Sequence, residues 1–421
     1  MFFIYQLIFL LLIIISPIII IIRIVKKKED KKRFLEKFSI FSKEKEKGNL
    51  IWFHGSSVGE ILSIIPLIEN LEKNKSIKQI LITSSTLSSS QILNKFKFRK
   101  TIHQFFPIDS IYFTNKFLNF WKPSIAIFIE SEIWPNMFFG IKKRSIPLLL
   151  LNARITNKTF QRWEKVKWFS HNIFRKISVA YPQNYETFKY LKKLEVPKIN
   201  FIGNLKFAES KLDQKISVEK KFHNQFKDRK IWCASSTHAN EELDCAKVHL
   251  NLKKKYKNLL TIIIPRHVHR TNEIRKKINE IGLNVVQRSS NTKITKKTDI
   301  YLVDTYGETK KFYNISKTVF LGGSLVNHGG QNPIEPARLQ STIIHGTYIH
   351  NFKEVYKLLG DNKISYKVKN VSELTKLVDK SISNLKNKKN KYLKIKKLGN
   401  RILGRTTNEI NNLLKNEFKK T

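Results

Sequence analysis

Residues 50–73 read LIWFHGSSVGEILSIIPLIENLEK. The first four residues are apolar enough for a short buried strand, two glycines and two serines then break the run, and ILSIIPLIENLEK carries its apolar residues at helical spacing. A strand, a Gly/Ser loop and an amphipathic helix form the opening half of a βαβ unit on a parallel sheet. The loop leaves the carboxyl end of its strand, the edge at which open α/β sheets bind ligands. Gly55 and Gly59 let the backbone turn tightly, the serine hydroxyls can cap the helix, and the N–H groups at its start can hold an anion. Glu60 falls in the first helical turn. There it either complements the helix dipole or faces the ligand edge as a working acid, and the spacing permits both.

The same grammar recurs along the chain. QILITSS, SSQILNKF, SIAIFIE and IPLLLLNAR continue the first series, and a second runs through KIWCASST, EELDCAKVHLNLKKKY, NLLTIIIPRH, NEIRKKINEIGLNVVQRSS, TDIYLVDT, TVFLGGS and STIIHGT. This predicts two α/β domains in tandem, 50–210 and 211–421, with the boundary between Asn204 and Asp228, where the chain turns polar and lysine-rich. The low-complexity run 385–399 reads as a basic helix, either solvated or facing a membrane.

Lys and Arg number 79 against 33 Asp and Glu among 421 residues, a formal charge of +46. The lysines are spread over the whole chain among many Ile, Asn and Phe, a mixture expected from AT-rich coding. An anionic membrane surface is a better beneficiary of such a charge than a nucleic acid. Cys233 and Cys245, the only cysteines, exclude a disulfide framework and a four-thiolate zinc site. The first twenty-two residues carry no charge, enough to cross ~30 Å of hydrocarbon as a helix. Arg23, Lys26, Lys27 and Lys28 follow, and no small-residue cleavage site does. The reading is therefore a single-pass anchor over 1–25 and a charged connector over 26–49, with a cytoplasmic body on the inner membrane; a helix embedded in one leaflet is the alternative.

Further polar clusters end apolar strands. FIESEIWPN (128–136) brings Glu130 and Glu132 to one loop, and NAR (152–154) and GNLKF (203–207) close the first half. In the second half come IIIPRH (262–267), DTYGET (304–309) and FLGGSLVNHGGQNPIEPA (320–337). Gly322, Gly323, Gly329 and Gly330 allow a phosphate-bearing ligand to approach the backbone, Glu335 can accept two ribose hydroxyls, and Arg266 can meet a phosphate or a base edge. No P-loop and no G-x-G-x-x-G occurs, which argues against an ATPase or a dinucleotide oxidoreductase. His267, His269 and His328 could in principle hold a metal; hydrogen-bond donation in a phosphate site is the reading adopted, with no metal and no cofactor. The D-x-D of metal-dependent sugar transferases is missing.

Taken in order, HGSSVGE, ESEIWPN, NAR, GNLKF, ASSTH, PRH, DTYGE, GGSL and GGQNPIEPA resemble the 3-deoxy-D-manno-octulosonic acid (Kdo) transferases of Gram-negative lipid A assembly, from about Leu50 to Phe352. The resemblance implies a GT-B fold, two Rossmann-like domains facing across a cleft, with the acceptor on the first and the nucleotide sugar on the second. It implies CMP-Kdo as donor, an anionic tetraacyl disaccharide bisphosphate lipid as acceptor, and the inner membrane, not nucleic acid, as partner. Glu60 matches the family's general base, and Glu130 or Glu132 with Lys206 match groups that stabilise the transition state. The CMP contacts fall on Pro265, Arg266, Gly307, Glu308, Thr309, Asn332, Pro333, Ile334 and Glu335. TSSTLSSS (83–90) and Gln331 depart from the family's usual Thr-rich run and His. A GT-B enzyme using a UDP-sugar is the nearest alternative. A membrane-tethered nucleic-acid-binding protein is a more distant one, because it leaves ESEIWPN and GGQNPIEPA without a role.

Overall fold

The computed structural model describes residues 2–210, 224–383 and 389–418. Part of the lysine-rich boundary, 211–223, and the start of the basic run, 385–388, lie outside the described residues. The chain divides into two compact units, one of Met1–Ser210 with Gly399–Thr421 and one of Lys211–Leu398.

Unit 1 is built on six parallel strands: β1 (Leu50–His54), β2 (Gln79–Ser84), β3 (Thr101–Phe105), β4 (Ile125–Ile129), β5 (Leu148–Ala153) and β6 (Val179–Pro182). Their order is β3-β2-β1-β4-β5-β6, with every pairing parallel. Helices cover the sheet, which is why β1, β2, β4 and β5 read as unbroken apolar runs and are buried throughout. The order reverses between β1 and β4, the switch point at which such sheets open a ligand crevice at their carboxyl edge.

Unit 2 has seven strands: β7 (Lys230–Thr237), β8 (Leu259–Pro265), β9 (Val285–Gln287), β10 (Ile300–Leu302), β11 (Thr318–Leu321), β12 (Thr342–His345) and β13 (Ser365–Lys367). The order β13-β12-β11-β7-β8-β10-β9 reverses between β7 and β11. Two parallel α/β sheets are the class the alternating runs predict.

The C-terminal stretch departs from the expected division. The helix Lys389–Phe418 crosses into unit 1, where Gly399, Ile402, Thr406, Ile410 and Leu414 bury one stripe. A Cβ at Gly399 would fall 2.3 Å from the Phe207 carbonyl oxygen, so only glycine lets the helix approach this closely. Tyr181 donates to Glu409 at 3.1 Å and Asn74 to Asn411 at 2.9 Å. Residues 399–418 are thus a docked part of the first unit, not the end of the second. The sequence concealed this because the stripe is sparse and most of the residues between its members are polar.

The N-terminal helix Phe2–Val25 is long and apolar enough to cross a membrane. Both of its ends bond to unit 1. Near the start, the Tyr5 hydroxyl donates to Asp109 at 2.6 Å and Gln6 bonds to Asn136. At the other end Arg23 pairs with the buried Glu29 at 2.9 Å, and Glu29 also pairs with Lys37.

Candidate functional site

The β1 and β4 loops lie side by side at the switch point of unit 1. His54 ends β1 fully buried, with its ring stacked on Phe106 at 3.8 Å. Its Nε2 lies 3.1 Å from Glu132 Oε2 and its Nδ1 3.0 Å from Thr83 Oγ1. A carboxylate can only accept, so Nε2 carries the proton toward Glu132 and Nδ1 faces the hydroxyl.

Glu60 occupies the third position of the helix Val58–Leu71, whose N-cap is Ser57. The Ser57 hydroxyl accepts from the Glu60 amide, and Glu60 takes the amide of Ser56 at 2.7 Å and the hydroxyl of Ser57 at 2.9 Å. This is a full capping box, so the structural role left open by the sequence is real. Glu60 is also one member of an acidic cluster. Burial, then the neighbouring charge of Glu132, pushes its carboxyl up to about 6.

Glu132 behaves oppositely. Burial alone would raise it, but bonds from His54, Ser56 and Trp134 prevail and hold it below the ordinary carboxylate range. The Ser56 hydroxyl reaches its Oε2 at 2.5 Å and the Trp134 indole N–H at 2.9 Å.

Glu130 follows β4 in a left-handed conformation with φ of 59°, a strained setting for a non-glycine residue that clusters at functional positions. The loops around it hold the strain. The Arg154 amide donates to the Glu130 carbonyl, Asn152 accepts from the Leu205 amide at 2.9 Å, and Lys206 Nζ sits 2.5 Å from Glu130 Oε1. HGSSVGE, ESEIWPN, NAR and GNLKF therefore meet at one sheet edge, with Glu60, Glu130, Glu132 and Lys206 together. The two acids of ESEIWPN have parted, Glu130 toward Lys206 and Glu132 toward His54.

In unit 2 the β7 and β11 loops are tied by Glu241, a residue that motif reading did not single out. It opens the helix Glu241–Lys253 and is fully buried. Its Oε2 accepts from the amides of Gly323 at 2.7 Å and His238 at 2.9 Å, and its Oε1 from those of Ser324 at 3.1 Å and Leu325 at 3.0 Å. Burial raises this carboxyl above the ordinary carboxylate range, while the four N–H donors favour its ionised form. A Cβ at Gly322 would lie 2.5 Å from the Ser236 carbonyl, which explains the glycine at this crossing. The available signal was an acid at a helix start beside a switch-point strand; three of its four amide partners, more than eighty residues away, carried none.

Around this clamp His238 stacks on His328 at 4.2 Å and meets His267 edge-on at 5.8 Å. Burial, followed by His328, His267, Arg266 and Arg270, lowers His238 to about 4. Its ring is therefore neutral at physiological pH. Among the described residues no three His, Cys, Asp or Glu side chains are placed to share a metal ion. Arg266 is exposed just after β8, beside the buried Pro265.

Two expected nucleotide contacts carry prior engagements. The Glu308 carboxylate takes Arg288 at 3.0 and 3.1 Å, Thr305 at 2.5 Å and Lys311 at 3.2 Å. Although burial opposes it, this shell brings Glu308 down to about 2. Its side chain is committed to the loop, so what Gly307 and Glu308 keep for a ligand is backbone. Asn332 accepts from the Ile334 amide at 3.1 Å, starting the short helix Ile334–Arg338 after Pro333. Glu335 stands in that helix with Lys310 at 3.5 Å, and both remain partly exposed.

Residues 32–209 match the family described as 3-deoxy-D-manno-octulosonic-acid transferase (kdotransferase). The chain is 33% identical over 348 residues to a 3-deoxy-D-manno-octulosonic acid transferase of Rickettsia bellii, covering 83% of each chain. It is 32% identical over 312 residues to that of Haemophilus influenzae, covering 73% of each. Among solved structures, UDP-GlcNAc 2-epimerase from Neisseria meningitidis aligns with a TM-score of 0.58 at 15% identity, over 87% of this chain and 99% of that one. A glycosyltransferase from Rickettsia africae aligns with a TM-score of 0.57 at 14% identity, over 89% and 100%. These two likenesses are of fold, and the fold is GT-B-like. The ordered motifs and the identity along most of both chain lengths lead to one conclusion: the chain belongs to the 3-deoxy-D-manno-octulosonic acid transferases, a family of glycosyltransferases.

Proposed function

We propose that the enzyme transfers Kdo from CMP-Kdo to the tetraacyl disaccharide bisphosphate precursor of lipid A (lipid IVA), with Glu60 as general base and without a metal. The acceptor hydroxyl attacks the anomeric carbon of Kdo, the bond from that carbon to the phosphate oxygen breaks, and CMP leaves with the electron pair. The acceptor's proton passes to Glu60. A carboxylate at about 6 is largely ionised at neutral pH yet more basic than a surface glutamate, the compromise that general-base catalysis favours. That raised carboxylate, held among Glu132, Glu130 and Lys206, is the observation that carries the reading.

Unit 1 supplies the base and takes the acceptor, while unit 2 holds the nucleotide. Lys206, already paired with Glu130, and Arg266 offset charge building in the transition state. Pro265, Arg266, the backbone of Gly307 and Glu308, Thr309, and Asn332 to Glu335 hold CMP, with Glu335 accepting from the ribose hydroxyls. The apolar helix keeps the body at the cytoplasmic face of the inner membrane, where the basic surface draws in an anionic lipid.

Purified enzyme incubated with lipid IVA and CMP-Kdo, and in parallel with UDP-sugars, tests this by mass spectrometry of the lipid. A mass increase of one or more Kdo residues supports the assignment. Product from a UDP-sugar alone replaces it with the rival donor.

A further inference from the structure

The residues of the N-terminal helix that are at least partly covered are Tyr5, Gln6, Phe9, Ile13, Ser16, Ile20, Arg23 and Ile24, a set that repeats with the helical period. They form one stripe along its full length. The remaining apolar side chains, from Phe3 to Val25, are exposed. A helix apolar all round is ordinarily buried in protein or in lipid, and here one stripe is covered while the rest faces outward.

The ends decide the orientation. Tyr5 bonds to Asp109 and Arg23 pairs with Glu29, all within unit 1. The intervening helix is roughly as long as the hydrocarbon core is thick, at ~1.5 Å per residue. A spanning helix would carry Tyr5 to the far side of the membrane from the body and leave the buried Asp109 without that hydroxyl. The bonds at both ends hold only if the helix stays on one side.

The body is furnished for the same surface where it meets the start of the helix. Tyr5 lies 6.1 Å from the ring of Phe169, next to Trp168, which is 73% exposed. Ile111 and Tyr112, just beyond Asp109, are 51% and 68% exposed. Lys167 precedes Trp168, and exposed Lys26, Lys27 and Lys28 follow the helix. Amphipathic aromatics beside lysines match the boundary between acyl chains and anionic headgroups.

We propose that the helix Phe2–Val25 lies along unit 1 in the plane of the membrane, with its outer face in the acyl chains, so that unit 1 itself rests in one leaflet of an anionic bilayer at Trp168, Ile111 and Tyr112. This rests on the membrane association proposed above. The partner is the lipid surface, and the acceptor's own leaflet is thereby the one the enzyme occupies.

The test uses the full chain with an epitope tag ahead of Met1, in inside-out vesicles of inner membrane. Protease added outside should remove the tag together with the body. A tag that survives while the body is digested overturns the in-plane arrangement and restores a spanning helix. A second measurement needs no change near the N-terminus: with vesicles of phosphatidylethanolamine and phosphatidylglycerol containing brominated acyl chains, Trp168→Phe should lose most of the fluorescence quenching seen in the parent. Equal quenching in parent and variant removes unit 1 from the leaflet. Failure of the parent to float with vesicles at all defeats the membrane association itself.

Discussion

Glu60 and Glu132 are bonded to the two ends of a single residue. The amide of Ser56 donates to Glu60 at 2.7 Å and its hydroxyl to Glu132 at 2.5 Å. Two acids fixed this close cannot be equally acidic, and their surroundings separate them: Glu60 rises to about 6 and Glu132 falls. Opposite shifts in neighbouring carboxyls mark out acid–base roles. The base must be unprotonated, so turnover should climb with pH, level off above about 6, and fall tenfold per pH unit well below it. A pH–rate profile flat through that region removes Glu60 from the chemistry.

Glu60→Gln separates catalysis from capping. Glutamine also serves at the third position of a capping box, so the helix keeps its start, with about 0.3–1 kcal/mol lost from the dipole interaction. Turnover should nevertheless fall roughly 10²–10⁴-fold, with CMP-Kdo binding intact. Rate and melting temperature are to be read on the same sample. A variant within a few-fold of the parent would move the base to Glu130 or Glu132.

Glu132→Gln tests the coupling. The side-chain oxygen that now takes His54, Ser56 and Trp134 can be the glutamine carbonyl, so the geometry survives while the charge goes. Without that charge Glu60 should ionise more easily, and the inflection of the rate profile should shift to lower pH. An unmoved inflection would mean that the charge of Glu132 does not set Glu60.

Lys206→Ala strips the cation from Glu130, whose side chain is only 8% exposed. Turnover should drop by roughly 10²–10³-fold if Lys206 stabilises developing charge, and the melting temperature should also fall, because a buried carboxylate loses its partner. Adding Glu130→Gln should recover the stability without recovering the rate. Recovery of both would make the pair structural.

On the nucleotide side, Glu335→Ala should weaken CMP binding by about 1.5–3 kcal/mol if the ribose bonds are charge-assisted, measured by calorimetry, with acceptor affinity unchanged. Glu241→Gln should raise the KM for CMP-Kdo more than it lowers kcat, because an amide group would turn donors toward backbone donors and loosen the loop at Gly323. A change in kcat alone would show that Glu241 does not position the donor loop.

The central strands were plain in the sequence because burial on both faces demands unbroken apolar runs such as LIWF and IAIFI. The strands that escaped, β3, β6 and β13, all lie at sheet edges, where a segment like TIHQF can be short and polar. Site residues were visible wherever a polar cluster ended a strand, as at HGSSVGE and ESEIWPN. Invisible were partners distant along the chain: Arg288, which claims the carboxylate of Glu308, and the amides that Glu241 gathers. Likewise, nothing local distinguished Glu130, which turns to Lys206, from Glu132, which turns to His54.

The return of residues 399–418 to unit 1 sets an order of assembly during synthesis. Unit 2 lies between them and residue 210, so at about 5–20 residues per second the first unit waits roughly 10–40 s on the ribosome for its last helix. Meanwhile the patch around Phe207 and Gly203, which Gly399 and Ile402 later cover, is open. Early contact of the nascent N-terminal helix with lipid would hold the half-finished unit at the membrane during that interval.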